Sequence, residues 1–232
     1  MREIVFDTET TGLDPYQGDR LVEIGCVELI NGFPSGNSFH RYLNPQRDMP
    51  EGAFKVHGLS IEFLKDKPLF ADVCDEFVAF IGDAPLIAHN AMFDLGFINA
   101  ELERCKRAAI PRDRLIDTLM LARRRYPAGP NKLDDLCGRF SIDLSRRTKH
   151  GALLDAELLA EVYIELTGKR QTRLSLVDES IGTTQQVGGI VAVKVRPAPL
   201  APRITEAERA AHLAFVGTLG EKAIWNDYLA AG

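Results

Sequence analysis

The chain has 232 residues, with 28 Lys and Arg against 33 Asp and Glu, a net charge of −5, and 45% apolar residues. This composition is that of an ordinary folded protein, and the length excludes a mini-protein, leaving one domain of roughly 170 residues with a tail or two small domains. The sequence has neither the run of ~18 to 20 apolar residues that a membrane span needs nor the pattern of a signal peptide, so we expect a cytoplasmic protein without membrane association. It has no C-x-x-C pair, so we expect neither a disulfide framework nor a zinc site.

The predicted elements start with strands and then alternate with helices. The candidate strands are residues 2–6, 21–30, 38–43, 85–88 and 115–118. Between the third and fourth, residues 44–60 are expected to form loop and short helix. The candidate helices are residues 71–81, 91–106, 118–125, 132–139 and 152–167, the last ended by Gly168. This order predicts an α/β domain that ends near residue 168.

The composition changes after this domain. Residues 171–204 contain no Phe, Trp or Tyr, so they lack the side chains that would offset ordering entropy, and a flexible linker is predicted. Thr205 and Glu208 then form a capping-box pattern at the start of a helix with an apolar side. Because a lone helix is marginal in water, we expect this one to bind a partner.

Two carboxylates at the end of the first strand are candidate metal ligands. Asp7 and Glu9 lie two residues apart, so a strand would place both on one face, where they repel unless a cation lies between them. Hard oxygen ligands favour Mg²⁺ or Mn²⁺. Taken alone, such a pair equally fits a strand end that meets solvent.

The last helix of the domain supplies a further carboxylate. Asp155 lies ~200° around this helix from its Glu stripe, on the apolar side, where an unpaired carboxylate would cost several kcal/mol. Metal coordination explains this position. His150, placed by Gly151 on a loop, is a candidate general base, although a surface loop histidine is the alternative. Asp94, at the start of a helix, suits the same site or a simple cap.

A basic segment lies within the acidic chain. Residues 104–150 carry 13 Lys and Arg against 5 Asp and Glu, a net charge of +8. This segment either contacts a polyanion or forms a solvated basic face.

Three motifs together resemble those of a known enzyme family. FDTETTG at residues 6–12, HNAMFD at residues 89–94 and HGALLDA at residues 150–156 are similar, in order and spacing, to the motifs of the DEDDh 3′-5′ exonucleases. Residues 131–168 and the tail resemble, within that family, the proofreading subunits of bacterial replicative DNA polymerases. The resemblance implies an RNase H-like mixed β-sheet flanked by helices, in an exonuclease domain of residues 1–170.

The resemblance also implies the parts of an active site. Two divalent cations, Mg²⁺ or Mn²⁺, would be held by Asp7, Glu9, Asp94 and Asp155; one would activate water, and the other would stabilise the leaving 3′-oxygen. His150 would take the proton of the water. The residues implied along the terminal nucleotide are Thr10, Thr11, Leu13, His57, His89 and Asn90. The alternatives are structural: His89 and Asn90 could tie a strand to its helix, and His57 could belong to a turn.

Two further segments resemble partner-binding elements. QTRLSL at residues 171–176 is similar to sliding-clamp-binding peptides, with Gln171, Leu174 and Leu176 as its anchors, although six-residue patterns also arise by chance. In the tail, residues 205–232, the resemblance implies attachment to the polymerase subunit, with Leu213, Phe215 and Trp225 as contacts. A small third subunit of the polymerase core is a further partner that the sequence leaves open.

The predicted function is hydrolysis of 3′-terminal nucleotides from single-stranded or mismatched DNA ends. A DEDDh exoribonuclease is an alternative, because the motifs do not separate DNA from RNA. A catalytically silent scaffold that joins polymerase and clamp is another. The linker and tail favour the polymerase subunit.

Overall fold

The computed structural model describes residues 1–145, 147, 149–168, 204–220 and 225. They belong to two units, residues 1–174 and residues 175–232. The anchors predicted for clamp binding, Gln171, Leu174 and Leu176, lie outside the described residues.

A mixed five-stranded sheet forms the centre of the first unit, which confirms the predicted fold class. Its order is β3-β2-β1-β4-β5; β2 is antiparallel to β1 and β3, whereas β4 is parallel to β1 and β5. The strands are β1 (Arg2–Thr10), β2 (Leu21–Ile30), β3 (Phe33–Tyr42), β4 (Leu86–Ala88) and β5 (Leu115–Asp117). The first strand is longer than expected, because its pairing with β2 continues to Thr10.

The third strand begins earlier than the sequence predicts. Asn31 (φ 54°) and Gly32 (φ 82°) form a two-residue hairpin turn, so β3 pairs with β2 directly from Phe33. Pro34 and Gly36 look like turn residues in the sequence. They are accommodated because β3 is the edge strand of the sheet.

Eight α-helices are found in the described residues. They are α1 (Glu51–His57), α2 (Ile61–Leu64), α3 (Phe70–Ile81), α4 (Ala91–Arg104), α5 (Thr118–Arg125), α6 (Leu133–Phe140), α7 (Ala152–Thr167) and α8 (Glu206–Thr218). The first two fill the predicted stretch of loop and short helix. Gly168 (φ 67°) ends α7 in the left-handed conformation, as the sequence predicts. Over these same residues, no helix is both long enough and apolar enough to cross a membrane.

The two faces of the sheet pack against different helices. Ile4 and Phe6 point from β1 into a core shared with α3 and α4, whereas Val5 points to the other face and packs against Leu159 of α7. This alternation assigns odd-numbered residues of β1 to the α7 side. The four cysteines are free thiols, and three of them are buried.

The second unit contains α8. Thr205 accepts a hydrogen bond from the backbone of Glu208, whose side chain accepts one from the backbone of Thr205, so the predicted capping box is present. The three side chains predicted to contact a polymerase are all exposed: Leu213, Phe215 and Trp225. The ring of Trp225 lies edge-on to that of His212, with centroids 5.8 Å apart.

Candidate active site

Asp7 and Glu9 both lie on the α7 side of β1. In the antiparallel register, Asp7 is opposite Gly25 of β2, and Glu9 is opposite Glu23, which is also buried. His40 Nε2 lies 2.7 Å from Glu23 Oε1. Glu23 therefore has its own polar partner, and Glu9 remains directed to the space between β1 and α7.

Gly25 allows α7 to approach β1 closely. A Cβ atom on this residue would lie 2.3 Å from the backbone nitrogen of Leu153 and 2.4 Å from the carbonyl carbon of Ala152, both in the first turn of α7. Only glycine permits this packing of backbone on strand. Asp155 follows within the same turn, buried, and so reaches the carboxylates of β1.

Asp94 enters the site from the opposite face of the sheet. It lies in the first turn of α4, is buried, and accepts a hydrogen bond of 2.6 Å from the Thr8 hydroxyl. Thr8 lies between the two acidic residues of β1. The hydroxyl thus fixes the Asp94 carboxylate at the end of the strand.

These side chains meet in one cleft of about 660 Å³. All five residues of the predicted catalytic set line it: Asp7, Glu9, Asp94, His150 and Asp155. One ligand atom each from Glu9, His150 and Asp155 lies within 4.8 Å of the others, a spacing that a single cation could bridge. His150 lies on the loop before α7, as predicted, with 48% of its side chain exposed.

Arg147 lies inside this acidic cluster. Its Nε and Nη2 atoms donate hydrogen bonds of 2.6 and 2.7 Å to the two oxygens of Asp155, and its Nη1 atom contacts Asp134 of α6. Its side chain is only 7% exposed. Burial opposes the charge of Arg147, but the hydrogen bonds and charges of Asp155 and Asp134 outweigh it and raise the pKa of the guanidinium.

Burial and neighbouring negative charges raise the pKa values of three other carboxylates of the cleft. Burial, followed by the charges of Asp94 and Glu9, raises the pKa of Asp7 well above its ordinary value. Burial, with the charge of Glu23 next, raises the pKa of Glu9 to about 8. Burial also raises the pKa of Asp94 to about 7, although the Thr8 hydrogen bond opposes this. A bound cation would reverse these shifts.

A second cavity, of about 490 Å³, adjoins the cleft. It includes four of the residues predicted to lie along the terminal nucleotide: Thr10, Thr11, Leu13 and His57. Thr8, Glu9 and Phe93 line both cavities, so they mark where the two meet. Its lining is mainly apolar, with side chains from α1 on one side.

His57 contributes an unsatisfied donor to this second cavity. Its Nδ1 atom accepts a hydrogen bond of 3.0 Å from the backbone of Leu59, and burial lowers the pKa of the ring. The neutral ring therefore carries its proton on Nε2, which is buried and makes no hydrogen bond of ordinary geometry among the described residues, although an interaction with the Thr10 backbone opposes the effect of burial on the pKa of the ring. Such a donor costs about 1 to 3 kcal/mol unless a ligand accepts from it.

His89 and Asn90 line the cleft and also have structural contacts. The Nδ1 atom of His89 lies 2.8 Å from the Thr118 hydroxyl, and the backbone of Asn90 donates to Asp117, the N-cap of α5. The structural alternative for these two residues is therefore present.

The sequence did not single out several residues of the site. A glycine within a buried strand, Gly25, signals a close backbone approach, but the partner helix cannot be identified without the fold. Arg147 belongs to the basic segment, and the buried Asp155 required a partner of some kind. Arg123, Asn131 and Lys132 line the cleft without a motif that would reveal them.

Comparison with known proteins agrees with this geometry. Residues 4–163 match the sequence model of the family RNase_T, described as exonuclease. The protein is 50% identical over 222 residues to DNA polymerase III subunit epsilon of Rickettsia felis, covering 94% of this chain and 97% of the relative. It is 45% identical over 239 residues to the subunit of the same name from Escherichia coli K12, covering 97% of each.

Solved structures share the fold. Exonuclease X in complex with 5′-overhanging duplex DNA has 26% identity and a TM-score of 0.55, covering 71% of this chain and 90% of that one. The nuclease domain of 3′hExo, a DEDDh family member bound to rAMP, has 16% identity and a TM-score of 0.61, covering 72% and 92%. The chain therefore belongs to the RNase_T exonuclease family and groups there with the epsilon subunits of DNA polymerase III.

Proposed function

We propose that this protein is a metal-dependent 3′-5′ exonuclease that proofreads for DNA polymerase III. It would hydrolyse 3′-terminal nucleotides from single-stranded or mismatched DNA ends and release nucleoside monophosphates. The observation that carries the proposal is the junction of an acidic cleft with an apolar cavity at Thr8, Glu9 and Phe93. A terminal nucleoside in the cavity would place its phosphate beside the carboxylates.

The donor set fits divalent cations. Asp7, Glu9, Asp94 and Asp155 supply hard oxygen ligands, and the raised pKa values of Asp7, Glu9 and Asp94 reflect repulsion and burial that a cation would offset. The residues would hold two ions, Mg²⁺ or Mn²⁺, whose positive charge would activate water and stabilise the leaving oxygen.

The remaining residues would position the strand and move a proton. His150, at the exposed rim of the cleft, would accept the proton of the attacking water. The Nε2–H group of His57, with Thr10, Thr11 and Leu13, would contact the terminal nucleoside. On the cleft side, His89 and Asn90 would contact the strand, and the basic Arg123 and Lys132 would contact its phosphates.

The partners follow from the same assignment. We infer an exonuclease domain of residues 1–170, a linker of residues 171–204, and a tail of residues 205–232 that binds the polymerase III alpha subunit. The exposed Leu213, Phe215 and Trp225 support the last role. Gln171, Leu174 and Leu176 would bind the sliding clamp, and a small third core subunit stays an open further partner.

A direct assay tests the nuclease. Purified protein would be given a 3′-mismatched DNA primer or an RNA of matched sequence, each with and without Mg²⁺. We expect nucleotide release from the DNA only when Mg²⁺ is present, at a rate well above that on RNA. Preference for RNA would favour the exoribonuclease alternative, and inactivity on both would favour the scaffold.

A further inference from the structure

Arg147 engages the groups that a bound cation would need. The two hydrogen bonds from its guanidinium occupy both oxygens of Asp155, in the planar bidentate geometry that suits an Arg and a carboxylate. The Nδ1 atom of His150 lies 2.7 Å from Arg147 Nη2 and 3.0 Å from Asp155 Oδ2, so the same guanidinium also crowds the imidazole. A metal ion that coordinates Asp155 and the Arg147 fork therefore compete for the same oxygens.

The charge of Arg147 suits this position. In the part of the chain that the structure describes, it is the one Lys or Arg ion-paired with any of the four cleft carboxylates. Its charge lowers the pKa values of Asp7 and Glu9, and so partly offsets the effect of burial. The guanidinium offsets the negative charge of the carboxylates as a divalent metal ion would, but with one positive charge instead of two.

The other end of the contact is exposed. Asp134, at the start of α6, is paired with the Arg147 Nη1 atom and has 59% of its side chain in solvent. Asp134 therefore anchors the Arg147 guanidinium from the solvent side, outside the group of four cleft carboxylates.

We propose that Arg147 is an internal counter-ion of the metal-free active site, which must leave Asp155 when a divalent cation binds. The proposal rests on the metal site of the proposed function. Metal entry, release of Asp155 and release of His150 are then one exchange, and Arg147 offsets part of the negative charge of the cleft until a cation takes its place. The exchange lowers the apparent metal affinity, because each binding event must break the Arg147–Asp155 pair.

The test is an isothermal titration of Mn²⁺ into chelator-treated full-length protein without DNA. Calorimetry of this titration gives the Mn²⁺ dissociation constant. Arg147→Gln should bind Mn²⁺ more tightly than the parent by about five- to a hundredfold, the usual range for such coupling. Arg123→Gln is the matched control: Arg123 is exposed on the same cleft and makes no ion pair with the described residues. It removes the same charge and should change the affinity less than about twofold.

A second measurement separates competition from misfolding. The rise in melting temperature on adding Mn²⁺ should be larger for Arg147→Gln than for the parent, because its metal-free state lacks the counter-ion. If Arg147→Gln does not fold, Asp134→Asn removes the outer contact alone, and a tighter Mn²⁺ affinity is again expected. An unchanged affinity in that variant would overturn the proposal.

The remaining outcomes are also decisive. Equal or weaker Mn²⁺ binding by Arg147→Gln, or an equal gain in Arg123→Gln, would show that Arg147 does not compete with the metal. Asp155→Asn identifies the other failure: if it binds Mn²⁺ as the parent does, the metal site itself is misplaced, and the proposed function fails with it.

Discussion

Gly25 and Leu153 approach each other so closely that a Cβ on Gly25 would lie 2.3 Å from the Leu153 backbone nitrogen. The contact joins β2 to the first turn of α7, which also carries Asp155. We expect Gly25→Ala to push this turn away and to reduce turnover by about 10²-fold, because displacement of a catalytic group by ~1 Å has effects of that size.

The control for this substitution is Gly138→Ala. Gly138 lies in α6, and a Cβ there has nothing within 4 Å. It should keep parental turnover on a single-stranded primer. Parental turnover in Gly25→Ala, with melting temperatures measured for both variants, would show that the close packing does not position Asp155.

Asp7 and Asp155 should differ in their effect on stability, although loss of either should abolish nucleotide release. Asp7→Asn removes a carboxylate whose pKa is raised by burial and repulsion, so the metal-free protein should melt at a higher temperature. Asp155→Asn removes the buried partner of Arg147, which should lower the stability of the metal-free protein by about 1 to 3 kcal/mol. Thermal unfolding in the presence of a chelator checks the expected change in stability, and primer assays with Mg²⁺ check the loss of nucleotide release. Melting temperatures that shift in the same direction in both variants would contradict the prediction.

The stability of the metal-free protein should fall as the pH rises from about 5 to 8. The pKa of Glu9 is about 8 in the folded protein against 4.5 ordinarily, so within this window the folded state binds a proton that the unfolded chain has released. The raised pKa of Asp94, about 7, acts in the same direction. We expect a loss of roughly 3 to 10 °C in melting temperature.

Two controls define that pH dependence. Excess Mg²⁺ should flatten it, since bound metal keeps the carboxylates ionised, and Glu9→Gln should weaken it. A metal-free melting temperature that rises over the same pH window would show that burial does not raise these pKa values.

His150→Gln should retain Mn²⁺ binding but slow the chemical step by roughly 10²- to 10⁴-fold, the usual contribution of a general base. Higher pH should restore part of the rate, because hydroxide then replaces the lost base. Single-turnover measurements at neutral pH check this. A rate equal to that of the parent would make His150 a loop residue without a catalytic role.

A chain ending at Gly168 should remain an active exonuclease that no longer co-purifies with the polymerase. It keeps all five strands that the structure describes and the helices that line the cleft, and it lacks α8 with the exposed Leu213 and Phe215. Co-elution with the polymerase subunit at micromolar concentration would place the contact in the nuclease domain instead. A full-length variant with Phe215→Ala and Trp225→Ala is the matched comparison.

Residue periodicity predicted where three carboxylates of the site lie, whereas the residues expected to contact the nucleotide followed only from the family resemblance. The period of two in a strand placed Asp7 and Glu9 on one face, and the period of α7 placed Asp155 among its apolar residues. Each inference concerns a single strand or helix. The local sequence pattern was therefore enough to make it.

Contacts between different strands, helices and loops could not be predicted from the local sequence pattern. Neither the pairing of Arg147 with Asp155 nor the role of Gly25 follows from local pattern, because each depends on where a loop or a helix packs. The start of β3 was missed for a related reason: Pro34 and Gly36 are tolerated only at a sheet edge, and edge position is a property of the whole sheet.

The late position of α7 in the sequence affects when the site can form during synthesis of the chain. α7 covers one face of the sheet with Leu159 and Tyr163 and also carries Asp155, which is separated from Asp7 by nearly the whole domain sequence. If Asp155 acts as proposed, a growing chain would have no complete catalytic site until α7, which covers this face of the sheet, has been synthesised and has packed. Local detachment of α7 would remove the same carboxylate, so on the proposed assignment of the site a partly unfolded molecule would lose its nuclease activity.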